Sequence, residues 1–237
     1  MTRNLTALTS NQDSYVVRPA EPGEYPGVIM AHQLFGVTAD VRAAADRIAE
    51  LGYIVIAPNF FHRSERRVEL PADDAGRAHG FKLMGELTRS GVLADVETAR
   101  SDLRAAGAVR TAGMVGLSMG GHLAYYAATQ TGLPVTVVLY AGWLTSTDMP
   151  VSQPEPTIEL TGGITGKLVF ITGSRDHVVT EAQRDAIAAR LTAEGVRHEM
   201  IVIDGAPHAF LAEGTPAYHA DAAAAAWRAI EQALQDG

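Results

Sequence analysis

Gly116-Leu117-Ser118-Met119-Gly120 follows the apolar pair Met114-Val115 and leads into His122-Leu123-Ala124-Tyr125-Tyr126-Ala127-Ala128, a helix-forming stretch. A strand that turns into a helix within so few residues leaves the middle residue in strained backbone. Side chains two positions to either side would strike the strand or the helix, a demand the two glycines meet. In exchange the Ser118 hydroxyl is lifted clear of the sheet, beside a helix N-terminus that favours developing negative charge. In this strand–turn–helix context a Gly-x-Ser-x-Gly match reads as a nucleophile elbow.

The rest of the chain keeps the same rhythm. Strands are expected at Ser14 to Pro19, Val28 to Ala31, Tyr53 to Ala57, Val135 to Tyr140, Leu168 to Thr172 and Met200 to Ile203. Between them lie helical patterns over about Ala39 to Glu50, Ala94 to Ala106, Glu181 to Glu194 and Ala217 to Leu234. The first of these sets Val41, Ala45, Ile48 and Ala49 on one side and is stopped by Gly52. Short apolar strands alternating with amphipathic helices imply an α/β fold, a mostly parallel central sheet with helices on both faces. At 237 residues and 47% hydrophobic content the chain can bury one large core, so a single domain over residues 1–237 is expected. Two stretches break the rhythm, the charged segment from Asn59 to Ser90 and the long connection from Gly142 to Gly166. Both are expected to cover a site, because long connections commonly do.

Charge and composition narrow the chemistry. A net charge of −8 without blocks of like sign argues against nucleic acid as a partner. The chain has no cysteine, which removes disulfides, thiolate metal sites and a Cys nucleophile. The first residues lack the apolar core of a secretory signal, and no apolar run reaches membrane-spanning length, so a cytoplasmic protein without membrane association is expected. No His-x3-His pair suggests a metal, and no glycine run suggests a phosphate cradle or a dinucleotide, so no cofactor is expected. The expected partner is a small-molecule substrate; monomer and homodimer are both compatible with the sequence.

A serine hydroxyl needs a base, and the base needs an orienting carboxylate. With a nucleophile elbow the chain order is Ser, then Asp or Glu, then His, each at a strand end. Asp176 follows the strand ending at Thr172, and His208 follows the strand ending at Ile203. Among rivals, His177 adjoins the carboxylate too closely to face it, and His198 begins a strand. His219 reads as a surface residue of the last helix, His122 as structural, and Asp204 as too near His208 to orient it. Acyl transfer also needs oxyanion donors. The backbone N–H of Met119 is one candidate, and the N–H of Leu34 or its neighbour Gln33, in the loop after the Val28–Ala31 strand, is the other. His32 and Gln33 are candidates for shaping that loop, while Phe35, Tyr140 and Trp143 are candidate walls of an apolar pocket.

Six segments together resemble the dienelactone hydrolase family of the α/β-hydrolase fold. They are His32 to Val37, Gly52 to Pro58, Gly91 to Val96, the elbow, Gly173 to Val179 around Asp176, and Gly205 to Phe210. The resemblance covers most of the chain, from about Pro26 onward, and implies small ester or lactone substrates without a cofactor. It also implies departures. The family's Cys nucleophile is Ser118 here, and Gln33 stands where the family has a Glu that restrains the thiol. Of two arginines that hold the substrate carboxylate, Arg77 matches one, and Ala212 stands at the other position.

The leading expectation is therefore a serine hydrolase of a small carboxylic ester or lactone, with Ser118, His208 and Asp176 as its triad. A second enzyme reading keeps the fold but uses His208 as the base of an elimination, cyclisation or rearrangement. A third is a binding protein that does no chemistry. A covalent phosphonate adduct at Ser118 separates the first from the second, and an intact set of three argues against the third.

Overall fold

The computed structural model describes residues 4–9 and 13–236. Its centre is an eight-stranded sheet. In chain order the strands are β1 (Leu5–Thr9), β2 (Tyr15–Pro19), β3 (Tyr25–Ala31), β4 (Ile54–Ala57), β5 (Ala108–Leu117), β6 (Val135–Leu139), β7 (Lys167–Gly173) and β8 (His198–Ile203). Across the sheet they run β1-β2-β4-β3-β5-β6-β7-β8. β1 pairs antiparallel with β2, and β2 with β4; every other neighbour is parallel. The mostly parallel α/β-hydrolase architecture is thus present. The antiparallel edge strand β1 lies in a stretch from which no strand was expected.

Helices α1 (Ala39–Glu50), α2 (Asp74–Met84), α3 (Arg89–Ala105), α4 (Met119–Thr131), α5 (Glu181–Ala193) and α6 (Ala220–Gln235) cover both faces. Strand residues alternate between the two cores. Val28, Met30, Val55 and Ala57 pack with α1 and α6, whereas Ile29, Ala31, Ile54 and Ile56 pack with α3 and α4. Burial on both sides is why these strands read as unbroken apolar runs.

Local caps account for the differences in helix boundaries. α3 starts at Arg89, earlier than the apolar pattern suggested, because the Thr88 hydroxyl accepts the Gly91 N–H at 3.1 Å. α6 starts later than expected: the His219 imidazole is its N-cap, with Nδ1 accepting from the Ala222 N–H at 3.2 Å. His219 is exposed, as the sequence suggested, but it precedes the helix and caps it. Within the charged segment, Asp73 caps α2 by accepting the Gly76 N–H at 2.8 Å.

The connection from Gly142 to Gly166, expected to cover a site, contributes residues to the core. Two short 3-10 turns, Pro150–Ser152 and Thr157–Gly163, lay it against α4, and Leu144, Ile158 and Ile164 join the core there. His122, fully buried on α4, holds it in place. Its Nδ1 lies 2.9 Å from the Gly142 carbonyl oxygen and its Nε2 lies 2.8 Å from the Thr157 hydroxyl. A neutral ring that donates from Nδ1 and accepts at Nε2 satisfies both. Burial is the main reason its pKa falls from 6.5 to about 4.

The unfolded chain therefore binds a proton at this position that the folded chain refuses between about pH 6.5 and 4. Stability at this site is complete above the unfolded value and is lost as pH falls through that window, at up to about 1.4 kcal/mol per pH unit for one proton. Urea denaturation across that range should show a shallower pH slope for His122→Gln than for the parent chain.

Candidate active site

The elbow is built by close backbone contact. Ser118 sits between β5 and α4 at φ 53° and ψ −113°, a region few side chains tolerate. A Cβ on Gly116 would lie 2.1 Å from the Gly120 carbonyl oxygen. A Cβ on Gly120 would lie 2.2 Å from the Ala31 oxygen and 2.5 Å from that of His32. So the first glycine lets the turn close on itself, and the second lets it press against the end of β3. The Ser118 N–H donates to the Leu139 oxygen at 2.9 Å, and the Ser118 oxygen accepts the His122 N–H at 3.1 Å. These bonds hold the strained residue from both sides.

The three residues expected to converge do so at the carboxyl edge of the sheet. Ser118 Oγ lies 3.0 Å from His208 Nε2. His208 Nδ1 lies 3.1 and 3.0 Å from the two carboxylate oxygens of Asp176. Asp176 is 4% exposed, yet its carboxylate is well supplied with donors. Oδ1 accepts the N–H groups of Val178 at 2.8 Å and Val179 at 3.0 Å, and Oδ2 accepts the Thr172 hydroxyl at 3.2 Å. Burial, the largest single influence, opposes ionisation here. The bond and charge of His208 and the two backbone donors outweigh it, holding the carboxyl below its usual range. An ionised Asp176 requires a proton on His208 Nδ1, which leaves Nε2 free to accept from Ser118. The Tyr140 ring meets the imidazole edge-on at 5.1 Å and is backed by Phe210.

The loop after β3 contributes a second device that the sequence only hinted at. His32 is fully buried. Its Nδ1 lies 2.7 Å from the Gln33 oxygen, and its Nε2 accepts the Phe60 N–H at 3.1 Å. Burial lowers its pKa from 6.5 to about 4, so the ring is neutral at neutral pH and donates from Nδ1. In a trans peptide the C=O and the following N–H point opposite ways. Holding the Gln33 oxygen toward His32 therefore turns the Leu34 N–H away from it. Phe60 as the anchor of His32 had no signal in the sequence, because it arrives from beyond β4.

Of the other expected site residues, Gln33, Phe35 and Arg77 line a cavity of about 770 Å³. Leu70 to Ala72 of the charged segment form part of its wall, as do Asp40 and the small residues Ala209 and Ala212. Part of the charged segment thus walls this cavity. Trp143 does not line this cavity; its ring packs edge-on against Phe81 at 6.3 Å. Among the rivals, Asp204 accepts the Ser174 hydroxyl at 3.0 Å. The His177 ring stands 5.8 Å from that of His208 without replacing it. Among the described residues no helix is long and apolar enough to cross a membrane.

The sequence pattern of the dienelactone hydrolase family matches residues 12–236. The chain belongs to the dienelactone hydrolase family. A relative from Synechocystis sp., provisionally named a carboxymethylenebutenolidase, is 29% identical over 227 residues, covering 93% of this chain and 90% of its own. One from Escherichia coli with the same provisional name is 29% identical, covering 92% of this chain and 80% of its own. The fold recurs in a provisionally named dienelactone hydrolase from Klebsiella pneumoniae, with TM-score 0.86 and 22% identity over 99% of this chain and 100% of that one. It recurs too in a dienelactone hydrolase-like promiscuous phosphotriesterase from metagenomic libraries, with TM-score 0.77 and 19% identity over 100% and 99% of the two chains. Membership of this family places the chain among hydrolases.

The close approach at the elbow is open to a direct test. Gly120→Ala should destabilise the protein by about 3 kcal/mol or more, since the clash is with backbone and not with a side chain that can swing away. Gly195→Ala, where nothing lies within 4 Å but φ is +67°, should cost only about 1 kcal/mol. Urea midpoints of the two variants check the difference.

Proposed function

We propose that this member of the dienelactone hydrolase family cleaves a carboxylic ester or lactone through an acyl-enzyme on Ser118. The observation that carries the reading is the unbroken hydrogen-bond chain from Ser118 Oγ through His208 to the buried Asp176. Ser118 Oγ attacks the carbonyl carbon while its proton passes to His208 Nε2. The carbonyl electron pair moves to oxygen, where the N–H groups of Met119 and Leu34 receive it. As the carbonyl re-forms, the C–O bond to the leaving group breaks, and His208 returns its proton to the departing alkoxide. A lactone's alkoxide stays tethered to the acyl group. Water then attacks the acyl carbon while giving a proton to His208, the C–O bond to Ser118 Oγ breaks as His208 returns that proton to Oγ, and the acid leaves. Asp176 stays ionised throughout and holds the imidazole in the tautomer each step needs.

Three features support the roles. Asp176 has donors enough to remain charged in a buried place, Ser118 is held in a backbone conformation that presents its hydroxyl, and His32 fixes the peptide that carries the Leu34 N–H. Two further residues tie the site to its surroundings, Tyr140 against the imidazole and Gln33 on the cavity wall.

Ser118→Ala should lower p-nitrophenyl ester turnover by about 10⁴-fold or more. Asp176→Asn should lower it by about 10⁴-fold through loss of the correct tautomer. An alkyl phosphonate should add covalently to Ser118, read as a mass increase on the peptide that contains it. A folded parent chain that takes up no phosphonate would overturn the reading. His32→Gln should reduce kcat by about 10²-fold, within the range for a lost oxyanion donor, while KM changes little. Steady-state kinetics on one ester separates the two constants.

A further inference from the structure

The cavity of about 770 Å³ has a size suited to a ligand much larger than an acetyl group. Its lining holds no triad residue but includes the chain neighbours of two site residues, Gln33 before Leu34 and Ala209 after His208, which places it next to the reacting centre. Its wall is mostly carbon, and much of its width comes from side chains no larger than a methyl group, at Ala39, Ala72, Ala209 and Ala212.

The charges on the wall do not favour an anion. Asp40 is half-buried at the start of α1. Burial and then the nearby Glu213 make its ionisation harder. Glu69 is bound by both guanidinium nitrogens of Arg42 at 2.9 Å. Arg77, exposed at the rim, is the cation on the wall without an ion pair among the described residues. One exposed guanidinium in water holds a carboxylate weakly, and a bound carboxylate would also share the cavity with Asp40.

We propose that this cavity receives an uncharged, medium-length hydrocarbon limb of the ester, so that the preferred substrates are neutral and apolar, without a carboxylate. The inference rests on the acyl-transfer reading above and adds to it the class of substrate. Selectivity comes from apolar area removed from water, and Ala72 and Ala212 act as specificity residues because their small size keeps the cavity open.

Two ester series test it, p-nitrophenyl acetate to octanoate for the acyl limb and ethyl to octyl acetate for the alcohol limb. In one of the two, kcat/KM should climb about fourfold per buried methylene. The p-nitrophenyl monoester of a dicarboxylic acid of octanoate's length should be at least about tenfold poorer than octanoate. Ala212→Phe and, in case that nearly buried position does not tolerate the ring, the exposed Ala72→Phe should each lower the octanoate-to-acetate ratio about tenfold or more. Measurable acetate turnover with flat profiles in both series would overturn the inference, as would preference for the carboxylate-bearing ester, which would make Arg77 an anion anchor.

Calorimetry distinguishes that failure from failure of the acyl chemistry. Octanamide binding about tenfold or more tighter than acetamide, and weakened in Ala72→Phe, would retain the cavity's ligand class even if no ester were turned over. Equal binding of the two amides would remove it.

Discussion

At the end of β5 two stretches of backbone pass closer than any side chain allows. Gly116 meets the carbonyl of Gly120, and Gly120 meets the last carbonyls of β3 and its loop. That contact does more than spare a clash. It holds Ser118 at a positive φ, sets the first residue of α4 directly behind the hydroxyl, and presses the loop containing Leu34 against the elbow. Ser118 and both candidate oxyanion donors are thus held by one packing event between rigid elements, and a shift in any of the three would be felt by the others.

Around that fixed point the site is organised by what each buried polar group is offered. Asp176 keeps its charge because N–H groups, a hydroxyl and an imidazole all donate to it, whereas the two fully buried histidines lose theirs. His32 and His122 each spend one ring nitrogen on a carbonyl and take a donor on the other. Both are neutral cross-braces, one for the loop beside the serine and one for the long connection over α4. Among the described residues only His208 is placed between a carboxylate and a hydroxyl, and this difference in neighbours, not residue type, separates the imidazole that can move a proton from those that hold backbone.

The two irregular stretches that looked alike in sequence serve different ends. The charged segment after β4 contributes a cap at Asp73, a helix, and one wall of the cavity beside the site. The proline-rich connection after β6 instead buries Leu144, Ile158 and Ile164 against α4 and α5. Its apolar residues are too irregularly spaced to announce a face, so length alone could not tell a wall from a core element.

Much of the arrangement was legible in the residues because it is local. Strand runs buried on both faces, the amphipathic pattern of α1, the glycines of the elbow and the order of Ser118, Asp176 and His208 each follow from neighbours a few positions away, whereas the side-chain caps Thr88 and His219 displaced the starts of α3 and α6, and α2 was not among the helices expected. The strand order, the cavity, the Phe60–His32 bond and the placement of Trp143 outside the cavity wall depend on segments brought together from distant parts of the chain. The sequence by itself determined which residues are candidates for the chemistry and which elements present them, because backbone strain and burial period are short-range demands. Tertiary structure alone decided the distances between them, the protonation each buried ring adopts and the shape of the space beside the serine, because those depend on the dielectric and the donors that other segments supply.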